Sequence, residues 1–209
     1  MRKRPLLILA VLVCGLVSPA PAHAGGLLSG LLPGLVSPSD TPATCDQSAS
    51  QAFKRWGDNN YYVLAPGGSF EPGSAAWKLT GGAKIVSGNE PFYVRSTADR
   101  YSLYLPSGSS ATTPPMCFKF TDWHLRFFSS GSGTVRVKVV VKSLLGVLSI
   151  LDGGTISNGS TWKPSPQVGL LVTNLTGLIS TDSISLRFTP AKTNGVRIDD
   201  VYLDPWKSG

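Results

Sequence analysis

The chain has 209 residues, with 19 Lys and Arg against 12 Asp and Glu, 23 Gly, 16 Pro, 3 Cys and only 15% charged residues. So little charge and so much Gly and Pro exclude long solvated helices and coiled coils. Intrinsic disorder is excluded by 42% hydrophobic residues, 5 Trp among them. The length suits one large β domain or two small ones, either able to bury a real core.

In chain order, Arg2, Lys3 and Arg4 form a positive start, Pro5 to Val17 is apolar, and Ala22-His23-Ala24 is followed by Gly25. This is the order of a secretory signal peptide over residues 1–24 with cleavage after Ala24, and the apolar run is too short to span a bilayer. A lipoprotein signal is disfavoured because Val13, not a small residue, precedes Cys14. An uncleaved anchor is the other alternative. Cleavage leaves 16 Lys and Arg against 12 acids, a net charge of +4 on the mature chain. The basic residues are scattered, with Lys54-Arg55 the only adjacent pair after the leader. No run tracks a phosphate backbone, so nucleic acid is not the expected partner. No transmembrane span is expected after the leader.

Residues 25–44 carry Leu27, Leu28, Leu31, Leu32 and Leu35 at helical spacing, interrupted by Pro33-Gly34 and with Asp40 as the single charge. They read as an apolar spacer, with docking on the envelope or the domain as the alternative. The domain is expected over 45–209. Cys45 and Cys117 remain after the leader is lost, an even count in an exported chain, and a disulfide between them is expected. It would close a 72-residue loop and stabilise the domain by about 4 kcal/mol in the chain-entropy model. Two free thiols or half of a metal site is the rival. His124 is the only mature histidine, too few for a Cys/His zinc centre.

The domain then alternates strands and turns. Val135, Val137, Val139 and Val141 line one face of Thr134–Lys142, and Ile184, Leu186 and Phe188 do the same in Ser183–Phe188. Shorter strands are predicted at Ser102–Leu105, Phe118–Phe120 and Leu125–Phe127, with others near Tyr61–Leu64, Trp77–Thr80, Lys84–Val86, Val168–Thr173 and Val196–Leu203. Val147–Leu151 is predicted extended, with a helical turn over Leu144–Leu151 left open. About ten one-sided strands with almost no helix predict an all-β, antiparallel two-sheet sandwich.

Two stretches add a resemblance. Gly67-Gly68-Ser69-Phe70-Glu71, then Trp77, resembles the opening of the galactose-binding-like jelly rolls that include many bacterial carbohydrate-binding modules. Val196-Arg197-Ile198-Asp199-Asp200-Val201-Tyr202-Leu203 resembles their closing strand, and Thr161-Trp162 their middle. Arg55–Tyr62 and Gly88–Val94 are similar to a group of secreted bacterial proteins. The resemblance implies a jelly roll and a structural calcium held by Glu71 with Asp199 or Asp200. Parity favours Asp199, which alternation places with Val201 and Leu203; the alternative is that Asp199 pairs with Arg197 or caps a turn. It also implies a glycan or cell-envelope component as partner, recognised through aromatic rings. Trp77 and Trp162 are expected in the core, while Trp56, Tyr61, Tyr62, Trp123 and Trp206 are candidates for exposed platforms or for covers over sheet edges.

An enzyme is not expected. No Gly-x-Ser-x-Gly motif, phosphate loop or dinucleotide fingerprint occurs, and Glu71 and Glu90, the only Glu residues, lie in no diagnostic setting. The leading expectation is a secreted, non-catalytic binding module for a carbohydrate or envelope glycan. The alternative is a structural or protein-interaction domain at the cell surface.

Overall fold

The structure, a computed structural model, describes residues 48–117, 124–142, 148–170 and 183–204. Its first strands are β1 (Val63–Leu64), β2 (Lys78–Thr80), β3 (Lys84–Ser87), β4 (Tyr101–Leu105), β5 (Ser110–Thr112) and β6 (Met116–Cys117). Then follow β7 (His124–Gly131), β8 (Thr134–Lys142), β9 (Leu148–Ser157), β10 (Lys163–Pro164), β11 (Val168–Gly169), β12 (Ser183–Ala191) and β13 (Val196–Leu203). A 3-10 turn, Lys54–Trp56, precedes them among the described residues.

The strands form two antiparallel sheets. The first has the order β10-β7-β13-β4-β3, with β1 also on β13 and β11 also on β7. The second runs β2-β5-β12-β8-β9, with β6 also on β12. Period-2 alternation drives the stacking: each strand has one apolar face that must leave water, and a second sheet covers it. The first sheet contributes Leu103, Leu105, Leu125, Phe127, Val196 and Ile198 to the core; the second contributes Val135, Val137, Val139, Leu186 and Phe188. Phe70 and Trp77 close it at one edge, their rings 4.9 Å apart and T-shaped, and the Trp77 indole N–H donates to the Pro66 carbonyl at 2.8 Å. Trp77 is thus a core residue, as its place after Phe70-Glu71 implied.

The Val-rich alternation of Thr134–Lys142 is β8 over its whole length, paired residue for residue with β12 from Thr134↔Ala191 to Val141↔Ile184. On its other side β9 carries one extra residue, Gly153, between Gly154↔Val137 and Asp152↔Lys138. The helical alternative over Leu144–Leu151 gives way to strand from Leu148, because that segment pairs back onto β8 through Leu148↔Lys142. The leader 1–24, the spacer 25–44, Cys45, Phe118–Phe120, Trp123 and Trp206 lie outside the described residues. The expected Cys45–Cys117 bridge therefore has one partner there.

Candidate binding site at the sandwich edge

A second apolar cluster lies on the outer surface of the first sheet. Phe128 from β7 and Tyr202 from β13 point away from the core, and Phe53 and Tyr62 lie over them, all four buried. Phe53 stacks on Phe128 at 5.4 Å and meets Tyr62 edge-on at 5.0 Å; Trp56, half-buried, packs on Phe92 at 5.1 Å and Phe128 at 5.2 Å. Trp162 packs at the margin of this cluster, beneath the Arg197 guanidinium at 5.7 Å. Of the predicted platforms, then, Tyr62 offers no free face: it is fully buried. Trp56 covers the sheet, and of the platforms among the described residues Tyr61 alone is well exposed, at 59%.

Within the polar stretch around Asp58, the Asp58 side chain belongs to a largely buried network. Tyr62 donates its hydroxyl to Asp58 Oδ2 at 2.6 Å, Arg126 donates Nη1 to the same oxygen at 2.6 Å, and Gln167 adds Nε2 at 3.1 Å. Burial alone would raise the Asp58 carboxyl; those hydrogen bonds, with the Asn60 amide, outweigh it and hold it below the usual carboxylate range. Tyr62 is pushed up to about 12, first by burial and then by donating to Asp58.

The calcium candidates divide. β13 carries a bulge: Asp199 pairs with Phe128 and Tyr202 with Arg126, so three steps on β13 match two on β7. Alternation fails there. Ile198, Val201 and Leu203 face the core, while Asp199 lies on the outer side with Phe128 and Tyr202, which corrects the parity argument that grouped it with Val201. Asp199 accepts the Glu90 amide at 2.9 Å through Oδ2 and the Asp200 amide at 2.9 Å through Oδ1. Glu71 is likewise engaged, its Oε1 accepting the amides of Arg100 at 2.6 Å and Tyr101 at 2.9 Å.

Asp200, at the bulge with φ 45°, is fully buried, and neither carboxylate oxygen makes a hydrogen bond of good geometry. Burial, with the nearby charges of Glu90 and Asp99, pushes it up to about 7; the Arg95 charge and backbone amide oppose the rise. Burial and the Asp200 charge push Asp199 up to about 9. An orphaned buried carboxylate fits a hard cation. Among the described residues no group of three His, Cys, Asp or Glu side chains is arranged to hold a metal. Any ion at Asp200 would therefore draw most of its oxygens from backbone carbonyls and water.

A concave site among the described residues lies at the open edge between the sheets. A pocket of about 460 Å³ is lined by Phe70, Trp77 and Leu79, by Ile85 of β3, by Tyr101 of β4 and by the loop from Glu71 to Ala76. It exists because β2 and β3 are the edge strands of different sheets, joined by the Gly81-Gly82 turn. Ile85 stands beside Leu103 in register and would be core on an inner strand; at this edge it is 49% exposed. Gly67 and Gly68 let the lining loop pass close. A Cβ at Gly68 would sit 2.7 Å from the Val201 carbonyl, and one at Gly67, whose φ is +68°, would meet the Ala75 carbonyl. Glu71 Oε2 accepts no hydrogen bond from the described residues, and the pocket lining combines aromatic and aliphatic walls with this acidic residue. That is a volume and lining suited to a small ligand.

The fold is that of a carbohydrate-binding-module-like jelly roll. Among solved structures, the N-terminal CBM22-1–CBM22-2 tandem domain from Paenibacillus barcinonensis Xyn10C matches with a TM-score of 0.50 at 11% identity, over 80% of this chain and 49% of that one. The chain thus spans about half the length of that tandem. The family 11 carbohydrate-binding module of cellulosomal cellulase Lic26A-Cel5E of Clostridium thermocellum matches with a TM-score of 0.42 at 16% identity, over 71% and 96%. TmCBM61 in complex with beta-1,4-galactotriose gives a TM-score of 0.37 at 17% identity, over 65% and 90%. No family model matches the chain, and no curated protein matches it at a significant level.

The sequence missed this pocket because it signals nothing by motif: Ile85 and Tyr101 look like ordinary strand residues. The signal that could have found it is the order Phe70-Glu71…Trp77, which resembles the opening of a jelly roll. No helix among the described residues is long and apolar enough to cross a membrane.

Proposed function

We propose that the protein is an exported, non-catalytic binding module that takes a carbohydrate in the edge pocket. The observation that carries this is the pairing, in one cavity, of apolar walls from Phe70, Trp77, Ile85 and Tyr101 with the acidic residue Glu71. A sugar ring asks for that combination: an apolar face set on aromatic or aliphatic carbon, and hydroxyls that donate to a carboxylate. Structures of similar fold include modules whose names record xylan and galactotriose as ligands, which supports the class of ligand. The signal-like leader and the Cys45/Cys117 pair suit an oxidising, extracellular destination, where an envelope glycan is the accessible target. The pocket's single acid offers no second carboxylate for glycoside hydrolysis.

The same reading includes a structural calcium at Asp200, which would neutralise a carboxylate held beside Asp199, Glu90 and Asp99. Its role is to fix the bulge that joins β13 to the Gly67-Gly68 loop.

The test is calorimetric titration of the purified protein with soluble xylan, galactan and glucan fragments, repeated on Tyr101→Ala and Ile85→Ser. Binding that is saturable in the parent and lost in both variants, with melting temperatures kept, supports the reading. Failure to bind any fragment, or binding that both variants retain, overturns it.

A further inference from the structure

The charge of the folded protein is segregated in depth. Glu90, Asp99, Asp199, Asp200 and Asp204 are buried, and Asp58 and Glu71 are partly buried, so Asp152 is the one exposed acid among the described residues. Nine Lys and Arg are exposed among the same residues. The surface formed by the described residues is therefore more basic than their summed charge suggests, because most of the acids that would balance it lie inside.

The outer face of the second sheet carries two of these exposed cations, Lys78 and Arg136, beside the half-buried Arg187 and Lys138. Register places Lys78 opposite Thr112, Thr112 opposite Arg187, Arg187 opposite Lys138 and Lys138 opposite Asp152, one row across five strands. Arg136 lies two residues from Lys138 on the same face, opposite Thr189. Alternation fixes their direction: Trp77, Leu79, Ala111, Leu186, Phe188, Val137 and Val139 between them face the core. Like charges directly opposite on paired strands, as with Arg187 and Lys138, cost stability. None of the four cations makes an ion pair among the described residues. Arg187 reaches only Thr112 Oγ1, at 3.5 Å, and Asp152 gives an oxygen to the Gly154 amide at 3.3 Å.

We infer that this face is a docking surface for a carboxylated polysaccharide, whose acid groups lie along Lys78, Arg187, Lys138 and Arg136. Adjacent strands 4.7–4.9 Å apart give a flat array with hydroxyls of Thr112 and Thr189 between the cations. A linear polyanion bearing further hydroxyls fits that array. Among its described residues the face carries no aromatic ring, so it has no platform for nucleic-acid bases. The class of polymer rests on the glycan reading above; the site and the sign of charge are independent of the edge pocket.

The test is retention of the purified protein on polygalacturonate, on its fully methyl-esterified form, on double-stranded DNA and on phosphatidylglycerol vesicles. Binding to polygalacturonate is expected, weakening steeply as salt is raised and lost on the ester. The double variant Arg187→Glu, Lys138→Glu is expected to bind on the order of a hundredfold more weakly. Arg187→Gln with Lys138→Gln, which adds no repulsion, is expected to lose on the order of tenfold. Ile85→Ser, at the edge pocket, is expected to bind polygalacturonate as the parent does. Equal retention on the ester, equal or tighter binding to DNA or vesicles, or parent-like affinity in both double variants overturns the inference. If neutral fragments bind the edge pocket while polygalacturonate is not retained, this inference falls alone; if neither binds, the glycan reading falls with it.

Discussion

Arg126 on β7 and Asp58 in the segment before β1 meet at 2.6 Å with side chains only 9% and 10% exposed. The guanidinium also lies 4.3 Å over the Phe53 ring and donates through Nε and Nη2 to the Ser165 carbonyl at 3.0 and 2.7 Å. One side chain thus ties together the segment before β1, the first sheet and the loop between β10 and β11. Removing one partner of a buried pair leaves the other uncompensated. Arg126→Ala is expected to cost about 3 kcal/mol, lowering the melting temperature by roughly 10 °C for a domain of this size. Asp58→Asn should cost less, since the amide oxygen still accepts from Tyr62. Thermal melts of both check this; an unchanged Arg126→Ala would show that the pair contributes nothing.

The same network sets a pH response. The depressed Asp58 carboxyl contributes stability that is present above the ordinary carboxylate range and is lost as pH falls through its folded value. Tyr62 works in the opposite sense: its stabilisation is complete below about pH 10, the ordinary tyrosine value, and is lost as pH rises through its folded value of about 12. Across that alkaline window the gap in melting temperature between the parent and Tyr62→Phe is expected to narrow. A gap that stays constant from pH 10 to about 12 would contradict the assignment.

Asp200 separates two states of its surroundings. With calcium bound, Asp200→Asn lowers the melting temperature and abolishes the shift that calcium produces in the parent. With no cation there, the same substitution removes an unpaired buried charge and raises the melting temperature at neutral pH. Melts of parent and variant with calcium and with chelator decide between them, and the calcium reading expects the first pattern.

Much of the sandwich was legible in the sequence because strand alternation reports burial directly. Val135, Val137 and Val139 in β8, and Leu186 and Phe188 in β12, fall where the period of two puts them. Alternation failed at Asp199–Tyr202 because a bulge adds one residue and inverts every later assignment, and nothing in Asp-Asp-Val marks a bulge. Tyr62 failed as a platform for another reason. Tyr62 sits in a polar stretch, but its neighbour Asp58 is a buried acceptor held by Arg126, 68 residues away in the chain. Local polarity cannot show a long-range partner. The edge pocket was invisible because it depends on β2 and β3 belonging to different sheets, a matter of topology rather than pattern.

Gly68 tests the contact between the bulge and the pocket loop. The Val201 amide donates to the Gly68 carbonyl at 3.0 Å, and the Ala65 amide to the Val201 carbonyl at 2.8 Å. A methyl at Gly68 would press on that same carbonyl at 2.7 Å. Gly68→Ala is expected to destabilise by about 2 kcal/mol through overpacking against backbone and to weaken ligand binding at the adjoining pocket. Denaturant melts and titration of the variant check both; a Gly68→Ala protein as stable as the parent would mean that the loop can shift freely.

The central claim is that the edge pocket holds a carbohydrate, and retention of the purified protein on a panel of immobilised neutral polysaccharides, with and without calcium, tests it most directly. The account predicts saturable retention on at least one glycan, displaced by the soluble form and lost in Tyr101→Ala while its melting temperature holds. Retention on none of them, or retention that Tyr101→Ala leaves intact, would contradict it.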